Sequence, residues 1–252
     1  MPIALVRPPS SRLAEGQLTF QEREPVDADR ARAQWDDYVA ALRTSGFECV
    51  ELAPAQDHPD GVFVEDTVVI VGGTAILTRP GTPSRAGEVA SMKDALAALG
   101  IPIREIAAPG HLDGGDVLKI GDTIYVGRSS RTDDAGIDQF TAFADELGFA
   151  VVRIPVTRAL HLKTTLSALP DGTIIGYAPL VDDPSMFAEF LPIPEPQGSA
   201  VLVLGDDAVL ISGSAPGTAE VLRRRGLHVV TTSITEFEKV EGGVTCLSVR
   251  IR

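Results

Sequence analysis

Residues 62–79 read Val62-Phe63-Val64-Glu65-Asp66-Thr67-Val68-Val69-Ile70-Val71-Gly72-Gly73-Thr74-Ala75-Ile76-Leu77-Thr78-Arg79. Two strand-like runs, 62–71 and 74–79, flank a glycine pair that takes the positive φ of a tight hairpin turn without a Cβ clash. The pattern recurs along the chain. Residues 117–120 and 123–126 flank Gly121-Asp122, 166–169 and 173–176 flank Pro170-Asp171-Gly172, and 200–204 and 208–211 flank Gly205-Asp206-Asp207. The turn centres fall near 72, 121, 171 and 206, which marks an internal repeat.

Helical stripes follow the hairpins in step. Val89, Met92, Leu96 and Leu99 repeat at helical spacing, as do Ile137, Phe140, Phe143 and Leu147, and a further stripe holds Trp35, Tyr38, Val39 and Leu42. These helices stop at Gly46, Gly100 and Gly148, with Gly226 in the same place after Val221-Leu222, as a left-handed C′ residue requires. A short apolar strand follows each glycine, over 47–52, 101–106, 149–156 and 227–234. Units of hairpin, helix and strand therefore begin near 62, 116, 161 and 199. The third is degenerate, with only a short helix over 184–190. One helix and strand, 29–42 and 47–52, lack a hairpin, and pairing the spare terminal strands 3–6 and 245–251 supplies it. The pattern predicts a single radially repeated α/β domain over 1–252, its termini standing where the fifth turn should be. An ordinary open α/β sheet is the competing architecture.

The composition suits a folded chain: 252 residues, 44% hydrophobic and 23% charged, with 22 Lys+Arg against 35 Asp+Glu for a net −13. That charge argues against nucleic acid or an anionic membrane as partner and is compatible with a small cationic ligand. No apolar run approaches the ~18 residues of a membrane span. Two cysteines, Cys49 and Cys246, make no disulfide framework, so a reduced, cytoplasmic setting is expected. Nothing in the pattern commits to an oligomeric state.

A radial repeat brings equivalent positions of its units together near one axis. Ahead of, or early in, the first strand of each unit stand Asp60, Glu65 and Asp66; Asp113 and Asp116; His161; and Glu241 with Cys246. Carboxylates, an imidazole and a thiol thus share one centre. Two adjacent acids in an apolar strand cannot both face solvent unless both its faces are exposed. Gly114-Gly115 and Gly242-Gly243 permit close backbone approach. Cys49, His58, His111 and His228 have no such company and read as structural or surface residues. Arg85 and Arg131 follow the second strands of two hairpins, where a guanidinium fork matches a carboxylate. Acids at one end and arginines at the other suit an amino acid with a cationic side chain.

Six motifs then carry a resemblance that covers essentially the whole chain: Phe63-Val64-Glu65-Asp66-Thr67, Thr78-Arg79-Pro80-Gly81-Thr82-Pro83-Ser84-Arg85, Leu112-Asp113-Gly114-Gly115-Asp116-Val117-Leu118, Val126-Gly127-Arg128-Ser129-Ser130-Arg131-Thr132, Leu160-His161-Leu162-Lys163 and Gly242-Gly243-Val244-Thr245-Cys246-Leu247-Ser248. In content and order they resemble the dimethylarginine dimethylaminohydrolase family of the guanidine-modifying (pentein) superfamily. The resemblance implies a five-bladed ββαβ propeller with pseudo-five-fold symmetry. It also implies Cys246 as nucleophile, His161 as general acid/base and Asp113 as the acid that orients it. Asp60, Glu65 and Asp66 would line the guanidinium end, Arg85 and Arg131 would bind the substrate carboxylate, and the Val240 backbone would receive the α-amine. A lid leucine from the strand-free stretch 7–25 would close the site; Leu18 is favoured over Leu13 because Glu15-Gly16 precedes it closely.

The implied reaction converts Nω-methylated L-arginine to L-citrulline and methylamine or dimethylamine through a thiouronium on Cys246, with no cofactor and no metal. Arginine deiminase chemistry on unmethylated arginine is the nearest alternative, since the same residues serve it. A zinc protein using Cys246 and His161 is a second alternative, although no close Cys/His pair has the usual ligand spacing. A catalytically inert binding protein is a third.

Overall fold

A computed structural model describes residues 1–252. The strands fall into five three-stranded sheets. In chain order the elements open with β1 (Ile3–Val6), α1 (Ala28–Thr44) and β2 (Glu48–Glu51), then β3 (Val68–Val71), β4 (Thr74–Leu77), α2 (Val89–Ala98) and β5 (Ile103–Glu105). Next come β6 (Val117–Ile120), β7 (Thr123–Arg128), α3 (Asp134–Glu146) and β8 (Ala150–Pro155). The short helix α4 (Leu162–Thr165) leads into β9 (Leu166–Ala168), β10 (Ile174–Gly176) and β11 (Phe190–Pro192). The chain closes with β12 (Val201–Val203), β13 (Ala208–Ser212), α5 (Pro216–Arg224), β14 (His228–Thr232), α6 (Thr235–Glu238) and β15 (Val249–Ile251).

Every sheet is wired alike: an antiparallel hairpin whose second strand also pairs in parallel with the strand after the crossover. In the fifth sheet the hairpin is made by the two ends of the chain, with Ile3 opposite Ile251 and Leu5 opposite Val249, while β1 runs parallel to β2. Gly72 and Gly73 turn the first hairpin at φ 54° and 77°, and the helix-stopping glycines 46, 100, 148 and 226 all lie between 68° and 89°.

Apolar side chains gather in five clusters, each drawing on two sheets. One joins Leu5 and Val249 to Val68 and Leu77 beneath Met92 of α2; another joins Val71 and Ile76 to Val117 and Ile124 beneath Phe140 of α3. Leu118 and Ile154 meet Leu166 and Ile174, and Leu169 and Ile175 meet Val201 and Val209 beneath Leu222 of α5. The largest seats Trp35, Tyr38 and Leu42 of α1 between Val6 and Leu202.

Three expectations change, one being the terminal strand expected over 245–251, which is regular only over Val249–Ile251 because 244–247 form a turn. The strand expected over 62–71 is regular only from Val68, because Val64–Thr67 coil into a 3-10 turn. The helix expected over 184–190 is a single 3-10 turn, Pro184–Met186, whose Asp183 side chain accepts Ser185 N–H. Phe187 then leaves the turn to pack between Tyr125 and Phe190, with ring centroids 5.4 and 6.3 Å away. Aromatic packing fills the place that a helix takes beside the other sheets.

Candidate active site

The chemically distinctive residues sit on the turns that feed the first strand of four of the five sheets. Glu65 and Asp66 lie in the 3-10 turn before β3, Asp113 and Asp116 bracket the turn Gly114–Asp116 before β6, and His161 precedes α4 and β9. Cys246 lies in an irregular turn just ahead of β15. The adjacent acids, expected on a strand, therefore sit in a turn. Both face inward, with Glu65 4% and Asp66 3% exposed, because a tight turn lacks the alternation of a strand.

Glycine brings the turns together. A Cβ on Gly114 would lie 2.0 Å from the Glu65 carbonyl oxygen, and one on Gly115 would lie 2.6 Å from His161 Nδ1 and 2.7 Å from Asp66 Oδ1. A Cβ on Gly242 would lie 2.4 Å from the Phe63 ring. Any side chain at these positions would force the site apart.

His161 Nε2 is 3.0 Å from Asp113 Oδ2, and Nδ1 is 3.8 Å from Asp66 Oδ1. Asp113 is fully buried, and its Oδ1 accepts the N–H of Gly81 at 2.9 Å. Burial alone would lower the imidazole pKa, but Asp66, the hydrogen bond to Asp113 and the charge of Asp116 raise it to about 9. Asp66 shows the complementary balance. Burial opposes its charge, yet His161, the Arg85 guanidinium 2.5 Å away and the Gly115 N–H hold it at about 2. Burial pushes Asp116 up to about 6 against His161 and three hydrogen bonds.

Cys246 closes the group from the other side. Its carbonyl accepts Glu65 N–H at 3.2 Å, and Gly243 N–H points at the sulfur from 3.4 Å. Burial, and then the charges of Glu65 and Asp66, push the thiol up to about 12. Glu65 divides its oxygens. Oε1 is held by Lys163 at 2.7 Å and Arg250 at 3.2 Å, whereas Oε2 is buried with no partner. An unpaired buried carboxylate oxygen is costly and is the natural receiver of a ligand N–H. Asp66, Asp113 and His161 place ligand atoms within 4.8 Å of one another and are the residues that could hold a metal ion.

The arginines differ. Arg85 is buried and committed, paired with Glu88 at 2.8 Å and Asp66 at 2.5 Å, and it donates to the Phe63 carbonyl at 3.1 Å. Arg131 bonds through its guanidinium only to hydroxyls, those of Thr82 and Thr19. Thr19 belongs to the expected lid. There Gln17 N–H bonds Asp60 at 3.1 Å, Thr19 N–H bonds Glu241 at 3.1 Å, and Leu18 stands half-buried between them. Leu13 is instead fully buried in the core. Val240 is buried one residue before Glu241, which has a positive φ of 61°.

Lys163, Arg250 and Glu88 were not singled out from the sequence. Glu88 stands three residues after Arg85, a legible spacing, whereas Arg250 and Glu65 are 185 residues apart and no local signal joins them. His111 bonds Asp133 at 3.0 Å near the surface, and Cys49 is half-buried against α1.

A thiol, an acid-supported imidazole and buried carboxylates on the turns of four of the five similar sheets define a cysteine-dependent hydrolase of amidine-type carbon centres. A family model described as N,N dimethylarginine dimethylhydrolase, eukaryotic, matches residues 10–184. The N(G),N(G)-dimethylarginine dimethylaminohydrolase of Streptomyces coelicolor is 55% identical, with 99% of this chain and 96% of that protein covered; the Pseudomonas aeruginosa enzyme is 32% identical, with 98% of each covered. The chain belongs to the dimethylarginine dimethylaminohydrolase family. Solved structures agree: a dimethylarginine dimethylaminohydrolase adduct with S-methyl-L-thiocitrulline superposes with a TM-score of 0.92 at 30% identity, and the Pseudomonas aeruginosa enzyme with citrulline gives 0.91 at 31%, each covering 98% of both chains. The N-terminal domain of the arginine dihydrolase ArgZ shares the fold, with a TM-score of 0.86 at 21% identity over 99% of this chain and 98% of that one. No helix is long and apolar enough to cross a membrane.

Proposed function

We propose that this chain hydrolyses Nω-methylated L-arginine to L-citrulline and methylamine or dimethylamine. The carrying observation is the buried, unpartnered Oε2 of Glu65, an acceptor for guanidinium N–H beside Cys246 and Asp66. In this reading residues 1–252 act as one catalytic domain, and the five sheets are the blades of a closed propeller. Apolar clusters shared between neighbouring sheets support closure, as does a cavity of about 450 Å³ lined by residues of β3, β6, β9, β12 and β15.

The substrate is a small cationic amino acid. Glu65 and Asp66 bind the guanidinium and fix its plane, with Asp60 at the same end of the pocket. Arg131 receives the α-carboxylate at little cost, since it gives up only hydroxyls; Arg85 joins it only by releasing one of its present partners, Glu88, Asp66 or a carbonyl. The Val240 backbone takes the α-amine and Leu18 covers the site.

Without substrate, the environment keeps the thiol neutral and the imidazole charged. An arriving guanidinium offsets the nearby carboxylates and favours the thiolate, the thiol proton passing to solvent because His161 already carries its own. The Cys246 sulfur bonds to the central guanidinium carbon. His161 transfers a proton to the departing amine as its C–N bond breaks, leaving a thiouronium. The now neutral His161 takes a proton from water, whose oxygen attacks the same carbon; the C–S bond breaks and citrulline leaves. Asp113 stabilises the imidazolium at the start and end of the cycle and orients the ring while it is neutral. S-methyl-L-thiocitrulline should react through the same adduct, with methanethiol departing instead.

Citrulline release from asymmetric dimethylarginine and from arginine, measured side by side, tests the reading. Dimethylarginine should be turned over faster; faster turnover of arginine would point to deiminase chemistry.

A further inference from the structure

Asp116 is fully buried and the reaction above gives it no role. Its Oδ1 accepts the N–H of Leu162, the residue after His161, at 2.9 Å. Its Oδ2 accepts the hydroxyls of Ser129 at 2.6 Å and Thr132 at 2.7 Å. Both hydroxyls pass the connection on. Thr132 Oγ1 accepts the N–H of Asp113 at 3.1 Å, and Ser129 Oγ accepts the N–H of Arg131 at 3.0 Å. One carboxylate therefore ties three chain segments together, reaching the backbone at Asp113, at Arg131 and at the residue after His161.

The fold makes room for this junction. A Cβ on Gly127 would stand 2.7 Å from Asp116 Oδ1 and 3.0 Å from the Leu162 Cβ, so β7 passes close only because that residue is glycine. Residue chemistry is equally demanding. An ionised carboxylate is acceptor-only and can take all three donors, whereas an amide offers one acceptor oxygen and turns a donor toward the two hydroxyls. A fully satisfied buried network of this kind holds one geometry.

We infer that Asp116 is a positioning residue, holding His161 and Asp113 in one register so that the imidazole proton is aimed at the leaving nitrogen. The inference rests on the roles given to those residues above. It assigns Asp116 an effect on proton delivery rather than on substrate affinity.

The test is single-turnover adduct formation on Cys246, followed by intact mass, in Asp116→Asn and in a His161→Ala control. Two substrates are compared: dimethylarginine, whose amine must be protonated to leave, and S-methyl-L-thiocitrulline, whose thiol leaves readily without that proton. Asp116→Asn should slow adduct formation from dimethylarginine on the order of a hundredfold, the scale of a displaced reacting group. The thiocitrulline should be slowed far less, and KM for dimethylarginine should stay within about threefold, well short of a lost charged contact. Equal slowing of both substrates, or no slowing, would overturn the proposal. If Asp116→Asn does not fold, Thr132→Val and Ser129→Ala carry the same comparison, and a deficit that does not depend on the leaving group in both overturns it. A His161→Ala enzyme with full dimethylarginine activity would instead remove the underlying site reading, and this proposal with it.

Discussion

Residues 17–20, the proposed lid, and the wall that carries His161 are fastened differently. The lid hangs from backbone N–H groups of Gln17 and Thr19 that reach the carboxylates of Asp60 and Glu241, and its Phe20 is 49% exposed. The wall is buried, and His161, Asp113, Asp66 and Asp116 satisfy one another and the backbone around them. A few partly exposed bonds open at low cost, so under the proposed function that edge is the one to admit a substrate. A buried, paired network is costly to disturb, so the wall is the stiffer of the two regions. Substitutions on the two sides should therefore fail in different ways.

The largest effect is expected on the wall. His161→Ala should lower kcat by roughly 10²–10⁴-fold, the usual contribution of a positioned proton donor, without a comparable rise in KM. A loss confined to KM in steady-state kinetics would break the contrast. Next, Asp66→Asn should cost about 3 kcal/mol of unfolding free energy in urea titration, because it leaves the buried Arg85 with Glu88 as its remaining acid partner. An unchanged midpoint would show that the Asp66–Arg85 pair does not hold the wall.

pH sharpens the comparison further. His161 is raised from 6.5 to about 9 in the folded state, so its stabilising share is complete below pH 6.5 and is lost as pH rises through about 9. Thermal midpoints should fall between pH 7 and pH 10, and should fall less in His161→Ala. The smallest effect belongs to the lid. Glu241→Gly removes the carboxylate and keeps the backbone, since glycine adopts a φ of 61° freely. KM should rise by about tenfold, one charged hydrogen bond's worth, with kcat little changed. Trypsin should cut sooner at Arg12 and Arg23. A fall in kcat with KM and cleavage unaltered would place Glu241 with the wall instead.

How much was legible follows from the range of each interaction. Gly72-Gly73 and Gly121-Asp122 announce their hairpins, and Gly46, Gly100, Gly148 and Gly226 their helix ends, because turn chemistry is set within a few residues. The apolar stripes of α1 and α3 announced their buried faces for the same reason. The unit repeat then grouped Glu65, Asp66, Asp113, His161 and Cys246 before any contact was known. It misassigned the backbone of Glu65 and Asp66, since an apolar run does not mark where pleating yields to a 3-10 turn.

What the sequence by itself determined is the repeating unit and the types of residue on its turns, both written in local pattern. Tertiary structure alone decided how the charges are shared. Glu65 gives one oxygen to Lys163 and Arg250, Arg85 is committed to Glu88 and Asp66, and Asp116 links three segments. Apart from Arg85 and Glu88, these partners stand up to 185 residues apart and meet only when the sheets pack, and burial then multiplies the strength of every charge among them.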